Sequence, residues 1–303
     1  MKKNIKKNKR KMDLHTHTDH SDGELTPTQL VEIAYCSGIR TLSITDHDNL
    51  GGIKNIDWGY LLINGISKEM VELIPGIELS AKVPVGQMHI LGYGIDIENK
   101  ELNDKIKTLR NNSLYGVLSI LVQIRKDYGI TFSNEDIEKL VNDSLVKNIG
   151  RPDVGKLCMD EKYKYAKNMK EAFDKYLIDA YNKTRANYKG IPPEECIKLI
   201  RTAGGIPVLA HPKSLDLSEK DFLIKLKELI SYGLGGIEVY HSTHSPEDME
   251  YFKTIANKYD LLISGGSDYH GPKVKPDIEL GTGRNNNLNI KQLSLVDELH
   301  RRK

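Results

Sequence analysis

The chain has 303 residues, 39% of them hydrophobic and 28% charged, with a formal net charge of +2 at pH 7. That composition supports a packed core and excludes wholly disordered, collagen-like and disulfide-scaffold classes. No run approaches 18 apolar residues, which excludes a membrane-spanning helix. The three cysteines, Cys36, Cys158 and Cys196, show no CxxC spacing. They point away from a cysteine-rich zinc site and toward a reducing cytoplasm.

The positive charge is local. Residues 1–11 carry six lysines and one arginine, so the rest of the chain has a net charge of −5. The body is mildly acidic, with no general bias toward nucleic acid. The basic tract lacks the apolar centre of a secretory signal and reads as a solvated, disordered tail. Two alternatives are a later native start at Met12 and an arm that attracts RNA.

Lys11–His15 reads as a strand. Thr26-Pro-Thr-Gln29 then supplies a helix cap, a first-turn proline and a reciprocal glutamine, and Gly38 ends the helix. Strands are expected at 41–45 and 71–74, with a less regular stretch around Trp58 between them. A pair at 77–83 and 88–93 is joined through Pro84-Val85-Gly86. Residues 97–189 change character to charged, lysine- and tyrosine-rich and mostly helical, with one long helix marked by Leu109, Leu114, Val117, Leu118, Leu121 and Ile124. Strands at 206–210, 236–240 and 261–264 then alternate with helices at 192–203, 219–231 and 246–259, and a last helix falls within 288–303. This rhythm implies parallel βαβ units in a barrel-like sheet. It is interrupted once by a helical insertion that follows the strand bearing His89 and is therefore expected on the active side.

Ionisable residues gather where strands end. His15 and His17 close the first strand and Asp22 follows. His47 closes the second, and Glu78 and His89 lie in the paired strands. His211 and His241 follow later strands, and Asp268 and His270 sit in the last loop. In parallel α/β folds those ends share one rim. His15 and His17, two apart in extended chain, point the same way. Imidazole mixed with carboxylate suits zinc, manganese or iron better than calcium. Nine plausible ligands, His15, His17, Asp22, His47, Glu78, His89, His211, Asp268 and His270, imply two or three divalent transition metals with a bridging carboxylate. His20, His244 and His300 read as ordinary loop or surface residues. His241 stands between a substrate contact and a packed rim residue.

His15-Thr-His17, Ser21-Asp22-Gly23, Thr45-Asp46-His47-Asp48, Pro75-Gly76-Ile77-Glu78, Ala210-His211-Pro212 and Gly266-Ser267-Asp268-Tyr269-His270 resemble the motifs of the PHP (polymerase and histidinol phosphatase) family. The resemblance covers residues 12–96 and 190–275. It implies an α/β fold, a distorted (β/α)7 TIM-like barrel with a trinuclear site and an inserted helical subdomain at 97–189. It also implies His15, His17, Glu78 and Asp268 on a first ion, Asp22, His47 and His270 on a second, and His89 and His211 on a third, with Glu78 bridging the first and third. Ile149-Gly-Arg-Pro152, Phe173-Asp-Lys-Tyr176-Leu177 and Ile237-Glu238-Val239-Tyr240-His241-Ser242 are similar to the nucleotide phosphatase and 5′–3′ exonuclease branch. One position departs: the family often has histidine where this chain has Asp153.

The expected activity is metal-dependent hydrolysis of a phosphoester, acting on a 3′,5′-bisphosphate nucleotide or a short 5′-phosphorylated RNA or DNA end. Glu78, Asp268, His241 and Arg151 are the candidate catalytic residues, with Arg151 and His241 gripping phosphate oxygens. A histidinol-phosphate-type phosphatase, a metal-dependent amidohydrolase and a metal-bound binding module are the alternatives.

Overall fold

The side chain of Thr26 accepts a hydrogen bond from the Gln29 amide, and the Gln29 side chain accepts one from the Thr26 amide. Helix α1 (Pro27–Cys36) thus opens with the reciprocal cap its sequence encodes. The computed structural model describes residues 11–83, 87–184 and 190–302. Residues 1–10 of the basic tract and the Pro84-Val85-Gly86 connection lie outside them. Lys11 belongs to the fold, pairing with Ile39.

Strands β1 (Lys11–Asp13), β2 (Ile39–Leu42) and β3 (Glu72–Leu73) form a parallel sheet in that order. Between β2 and β3 the stretch around Trp58 holds two short helices, α2 (Gly51–Lys54) and α3 (Trp58–Ile63). A five-stranded sheet runs β4 (Gly76–Ala81), β5 (Met88–Tyr93), β6 (Ile206–Leu209), β7 (Gly236–His241) and β8 (Leu262–Gly266). Backbone hydrogen bonds join the two sheets at both edges. On one side Leu14 donates to Gly265 at 3.2 Å and Asp268 to His15 at 2.8 Å; on the other Glu78 donates to Asp46 at 3.3 Å and Asp48 to Glu78 at 2.9 Å. A small antiparallel pair, β9 (Ile278–Glu279) and β10 (Gly283–Arg284), follows β8.

The expectation of parallel strands needs one correction. β5 runs antiparallel to both β4 and β6, because the link from Ala81 to Met88 is too short for a parallel crossover, which takes a dozen or more residues. The reversal matters for the site. The rim carries the carboxyl ends of β4, β6, β7 and β8 but the amino end of β5, where His89 pairs with Ser80. The helical insertion therefore departs from the end of the sheet opposite the rim. There Asp96 donates to the Ala203 carbonyl at 2.7 Å and the Asn99 side chain to the Thr202 carbonyl at 3.3 Å.

Helix α4 (Lys100–Tyr128) carries the chain back. Its 29 residues span about 43 Å at 1.5 Å per residue. Leu102, Ile106 and Leu109 pack into the core around β4, β5 and β6. Val117, Ile120, Leu121 and Ile124, further along the same face, enter a second core. That core is completed by α5 (Asn134–Asp143), α6 (Arg151–Met159), α7 (Met169–Ala172) and α8 (Ile178–Thr184), the last two joined through a π-helical turn at Phe173–Leu177. Gly129, at φ +69°, ends α4 in the left-handed conformation that glycine adopts without cost. The α/β alternation resumes with α9 (Pro193–Thr202), α10 (Glu219–Tyr232) and α11 (Pro246–Lys258), and α12 (Ser294–Arg302) packs on β8. Among the described residues no helix is long and apolar enough to cross a membrane.

Gly266 ends β8 where it meets β1. A Cβ there would stand 2.2 Å from the His15 amide nitrogen and 2.8 Å from Asp13 Oδ1. Backbone cannot yield as a flexible side chain does, so overpacking at this point costs about 1–3 kcal/mol or more. Gly266→Ala is expected to lower the midpoint of chemical unfolding and weaken metal uptake together, since His15 and Asp268 flank the clash. Denaturant titration beside metal analysis checks this; wild-type stability would show that β1 and β8 separate freely.

Candidate metal centre

Five imidazoles face one carboxylate. Glu78 Oε2 lies 3.1 Å from His15 Nε2, 3.2 Å from His17 Nε2 and 3.2 Å from His47 Nδ1, while Oε1 lies 2.9 Å from His89 Nδ1 and 3.0 Å from His211 Nε2. Asp268 Oδ1 sits 3.6 Å from His15 Nε2, 3.3 Å from His17 Nε2 and 3.4 Å from His270 Nδ1. Asp22 completes the set, with Oδ1 3.1 Å from His270 Nε2 and Oδ2 4.0 Å from His47 Nε2. All nine sequence-predicted ligands thus meet at one rim.

The donor atoms fall into overlapping groups in which every atom lies within 4.8 Å of the others: His17, Asp22, His47 and His270; His15, His17 and Asp268; His15, Glu78 and His211; His47, Glu78 and His89. Among the described residues, buried His17 Nε2, His47 Nδ1 and Asp22 Oδ1 have no hydrogen-bond partner, although carboxylate or imidazole atoms stand close by. Atoms that converge on a common point without being aimed at one another fit a cation between them. The residues present therefore fit a transition-metal cluster.

Electrostatics agree. Burial disfavours charge on His17, but the neighbouring carboxylates of Asp268 and Glu78 outweigh it and hold the imidazole up at about 9. Burial opposes charge on His15 too, yet Glu238 and Glu78 raise its pKa well above the usual range. His47 is pushed down to about 3, chiefly by desolvation, which Glu78 and Asp22 only partly offset. Glu78, Asp22 and Asp268 pay the same burial penalty but are held well below the carboxylate range, Glu78 and Asp22 by surrounding histidines and Asp268 first by Lys275. A cluster that keeps its carboxylates ionised while crowding imidazoles together is arranged for cations.

Backbone strain marks the same loops. Asp48 (φ +47°), His211 (φ +24°) and Asp268 (φ +58°) all adopt positive φ without being glycine. Lys275 Nζ donates to Asp268 Oδ2 at 2.6 Å and lines the cavity. Sequence reasoning missed Lys275, which lies in a loop without a motif of its own. It also gave no role to Glu238, an apparently ordinary strand residue, which is fully buried with Oε1 3.0 Å from His15 Nδ1.

His241 is buried at the rim. Its Nδ1 accepts from the Thr243 amide at 3.2 Å, which leaves the ring proton on Nε2. Among the described residues that Nε2 has no hydrogen-bond partner, and it faces Asp268 Oδ2 at 3.5 Å. His244, expected to be an ordinary loop residue, is instead packed against Phe252 with Nδ1 donating to the Val239 carbonyl at 2.8 Å. His20 is half-buried, and His300 is exposed with Nε2 2.7 Å from Glu72.

A cavity of about 730 Å³ extends from Glu78 and His241 to Val117, Ile149 and Tyr181 of the helical segment. Arg151 lines it, with its guanidinium carbon 4.3 Å from the ring centre of Tyr181 and 5.6 Å from that of Phe173. Among the described residues no carboxylate pairs with Arg151. Asp153 is not a cavity residue. It caps α6, accepting from the Gly150 amide at 2.8 Å, and takes Lys147 Nζ at 3.3 Å. Its negative charge is neutralised inside the helical segment and does not oppose an anion in the cavity.

The PHP domain family matches residues 13–184. The chain belongs to the PHP domain family. It is 31% identical over 278 residues to the 5'-3' exoribonuclease Rnm of Salmonella typhimurium, an alignment covering 89% of this chain and 87% of that protein. It is 27% identical to a 3',5'-nucleoside bisphosphate phosphatase of Chromobacterium violaceum, over 86% of this chain and 87% of the relative. The crystal structure of a protein described as a metal-dependent phosphoesterase from Bifidobacterium adolescentis superposes with a TM-score of 0.75 at 29% identity, covering 96% of each chain. The matched region contains six of the nine convergent residues, His15, His17, Asp22, His47, Glu78 and His89, and the likeness to whole relatives extends over most of the chain.

Glu78 belongs to two of these donor groups, so its charge would offset more than one cation held there. Glu78→Gln is expected to reduce bound metal more than Asp22→Asn or His270→Ala, each of which removes a donor from one group. Elemental analysis of the three variants, purified without chelator, decides this. Near-normal metal content in Glu78→Gln would remove Glu78 from the bridging position.

Proposed function

We propose that this protein is a metal-dependent phosphoesterase that uses water to hydrolyse phosphate esters of nucleotides. Its substrates are 3′,5′-bisphosphate nucleotides or short 5′-phosphorylated RNA or DNA ends. The observation that carries the reading is the half-buried Arg151, with no carboxylate partner among the described residues, in the same cavity as Asp22, His47, Glu78, His89, His211, Asp268 and His270, seven of the nine convergent donors. Relatives that act on nucleotides and RNA support it. The two sheets joined at both edges support a distorted (β/α)7 barrel, and the second core supports a helical cap at 97–189, of which residues 97–184 are described. Three unpaired cysteines support a cytoplasmic location.

His15, His17, Glu78 and Asp268 would hold one cation, Asp22, His47 and His270 a second, and His89 and His211 a third shared through Glu78, with manganese, iron or zinc suiting the donors. Such cations supply Lewis acidity toward phosphoryl oxygens and lower the pKa of water. The chain's own groups bind and orient the ester. Arg151 is already fixed between two rings, so it presents its fork to a phosphate with little further loss of freedom. Burial pushes its pKa down, but a guanidinium stays protonated, so it seeks an anion. The His241 Nε2–H donates toward the same space. Val117, Ile149 and Tyr181 exclude water from the nucleoside side.

Protein purified without chelator is expected to carry more than one equivalent of transition metal and to release inorganic phosphate from nucleotides when manganese is added. Zero or one equivalent with full activity would overturn the trinuclear reading, and no phosphate release from any nucleotide or 5′-phosphorylated oligonucleotide would overturn the activity. Arg151→Ala should keep its metal, raise KM for nucleotides at least tenfold and change hydrolysis of a small aryl phosphate little. Wild-type nucleotide kinetics would show that Arg151 does not reach the substrate.

A further inference from the structure

Glu238 lies in the middle of β7 with no exposed surface. Both its oxygens are engaged. Oε1 stands 3.0 Å from His15 Nδ1, and Oε2 accepts the His211 backbone amide at 2.7 Å. These partners follow different strands: His15 comes after β1 and His211 after β6. Both present their other nitrogen to Glu78, His15 Nε2 at 3.1 Å and His211 Nε2 at 3.0 Å.

A carboxylate beside Nδ1 keeps the His15 proton on that nitrogen and leaves Nε2 with a free lone pair directed at the cluster. The second bond does different work. His211 sits at φ +24°, a conformation that a side-chain-bearing residue adopts only when its surroundings impose it. The amide held by Glu238 Oε2 is one such restraint, and Pro212 follows immediately to begin a 3-10 turn. One buried carboxylate thus sets the ring of one donor and the backbone of another.

We propose that Glu238 is a positioning residue for the metal centre, fixing the tautomer of His15 and the turn at His211 so that both imidazoles face the cations. His15 Nδ1, Glu238 and His241 lie close enough together to form a ligand group of their own. That arrangement would cost Glu238 the hydrogen bond to His15 Nδ1 and leave the ring proton on Nε2, where it faces Glu78 and Asp268 and keeps that nitrogen from a cation. The inference rests on the cluster holding metal, as in the proposed function.

The test is equilibrium dialysis of manganese against the full-length, metal-free protein. Glutamine has one acceptor oxygen where glutamate has two, so Glu238→Gln can satisfy His15 or the His211 amide but not both. Its affinity for manganese is expected to fall 10–100-fold, the usual effect of losing a ligand's hydrogen-bonding partner. In a His15→Ala background the same substitution should have a markedly smaller effect, because part of its action runs through His15. Wild-type affinity in Glu238→Gln overturns the proposal. An undiminished loss in the His15→Ala background also overturns it, since Glu238 would then act independently of His15. If Glu238→Gln does not fold, Glu238→Asp, which draws the carboxylate back by about 1.5 Å, is held to the same two outcomes. Absence of manganese binding in the wild type would sink the metal reading itself, whereas wild-type binding with an unaffected Glu238→Gln sinks only this inference.

Discussion

Everything at the rim depends on the burial of Glu78. An ionised carboxylate taken fully out of water carries a penalty of several kcal/mol unless opposite charge meets it. Here the opposite charge must come from groups as far apart in sequence as His15 and His211. Without cations, protons on His15 and His17 do part of that work, which is why both are held above the ordinary imidazole range. His47, pushed the other way, stays neutral with a free lone pair. Cations of the right size satisfy all these groups at once, where protons satisfy them two at a time.

The geometry that brings the helical segment over this charge is indirect. Because β5 is reversed, the chain leaves the sheet at the far end, and only the length of α4 returns it to the rim. One apolar face serves two cores in succession, Leu102 to Leu109 and then Val117 to Ile124. The polar ties are equally specific. Asn49 donates to the carbonyls of His20 and Val146 at 2.7 and 3.1 Å, and the Asn148 amide donates to the His20 carbonyl at 3.0 Å. The segment that enters α6, and with it Arg151, is therefore held against the loop that carries Asp22. Helix α4 and a short set of hydrogen bonds fix where Arg151 stands relative to the clustered histidines and carboxylates.

The convergence of the nine residues was legible because their placement is local: histidines and carboxylates close strands, and each short motif places its own residue. The helices were legible for the same reason, from Thr26 and Gln29 at the start of α1 to the spacing of apolar residues along α4. What sequence did not disclose is what depends on partners elsewhere in the chain. Glu238 alternates with apolar neighbours as any strand residue does, and only the fold brings His15 and His211 to it. Asp153, which departs from the family's histidine, has no role legible in sequence because its partners, the Gly150 amide and Lys147, become neighbours only once α6 has formed. The direction of β5 was implicit in the short link before it, yet the alternation of strands and helices elsewhere argued for parallel pairing.

Site and fold are hard to separate in this molecule. Asp13, buried at the end of β1, accepts the amides of Ser267 and Gly281 at 2.8 and 2.7 Å, and so anchors the loop that presents Asp268 and His270. Its carboxyl is raised by burial, against the pull of those same hydrogen bonds. A strained Asp268 is tolerated because this anchoring leaves the loop few other conformations. Ligands drawn from residues 15 to 270 can converge only after both edges of the sheet have joined, so a preformed site does not exist in the unfolded chain. Binding free energy from cations held there would add directly to folding stability. The strain at Asp48, His211 and Asp268 and the crowding of five imidazoles on Glu78 are costs that such cations would offset.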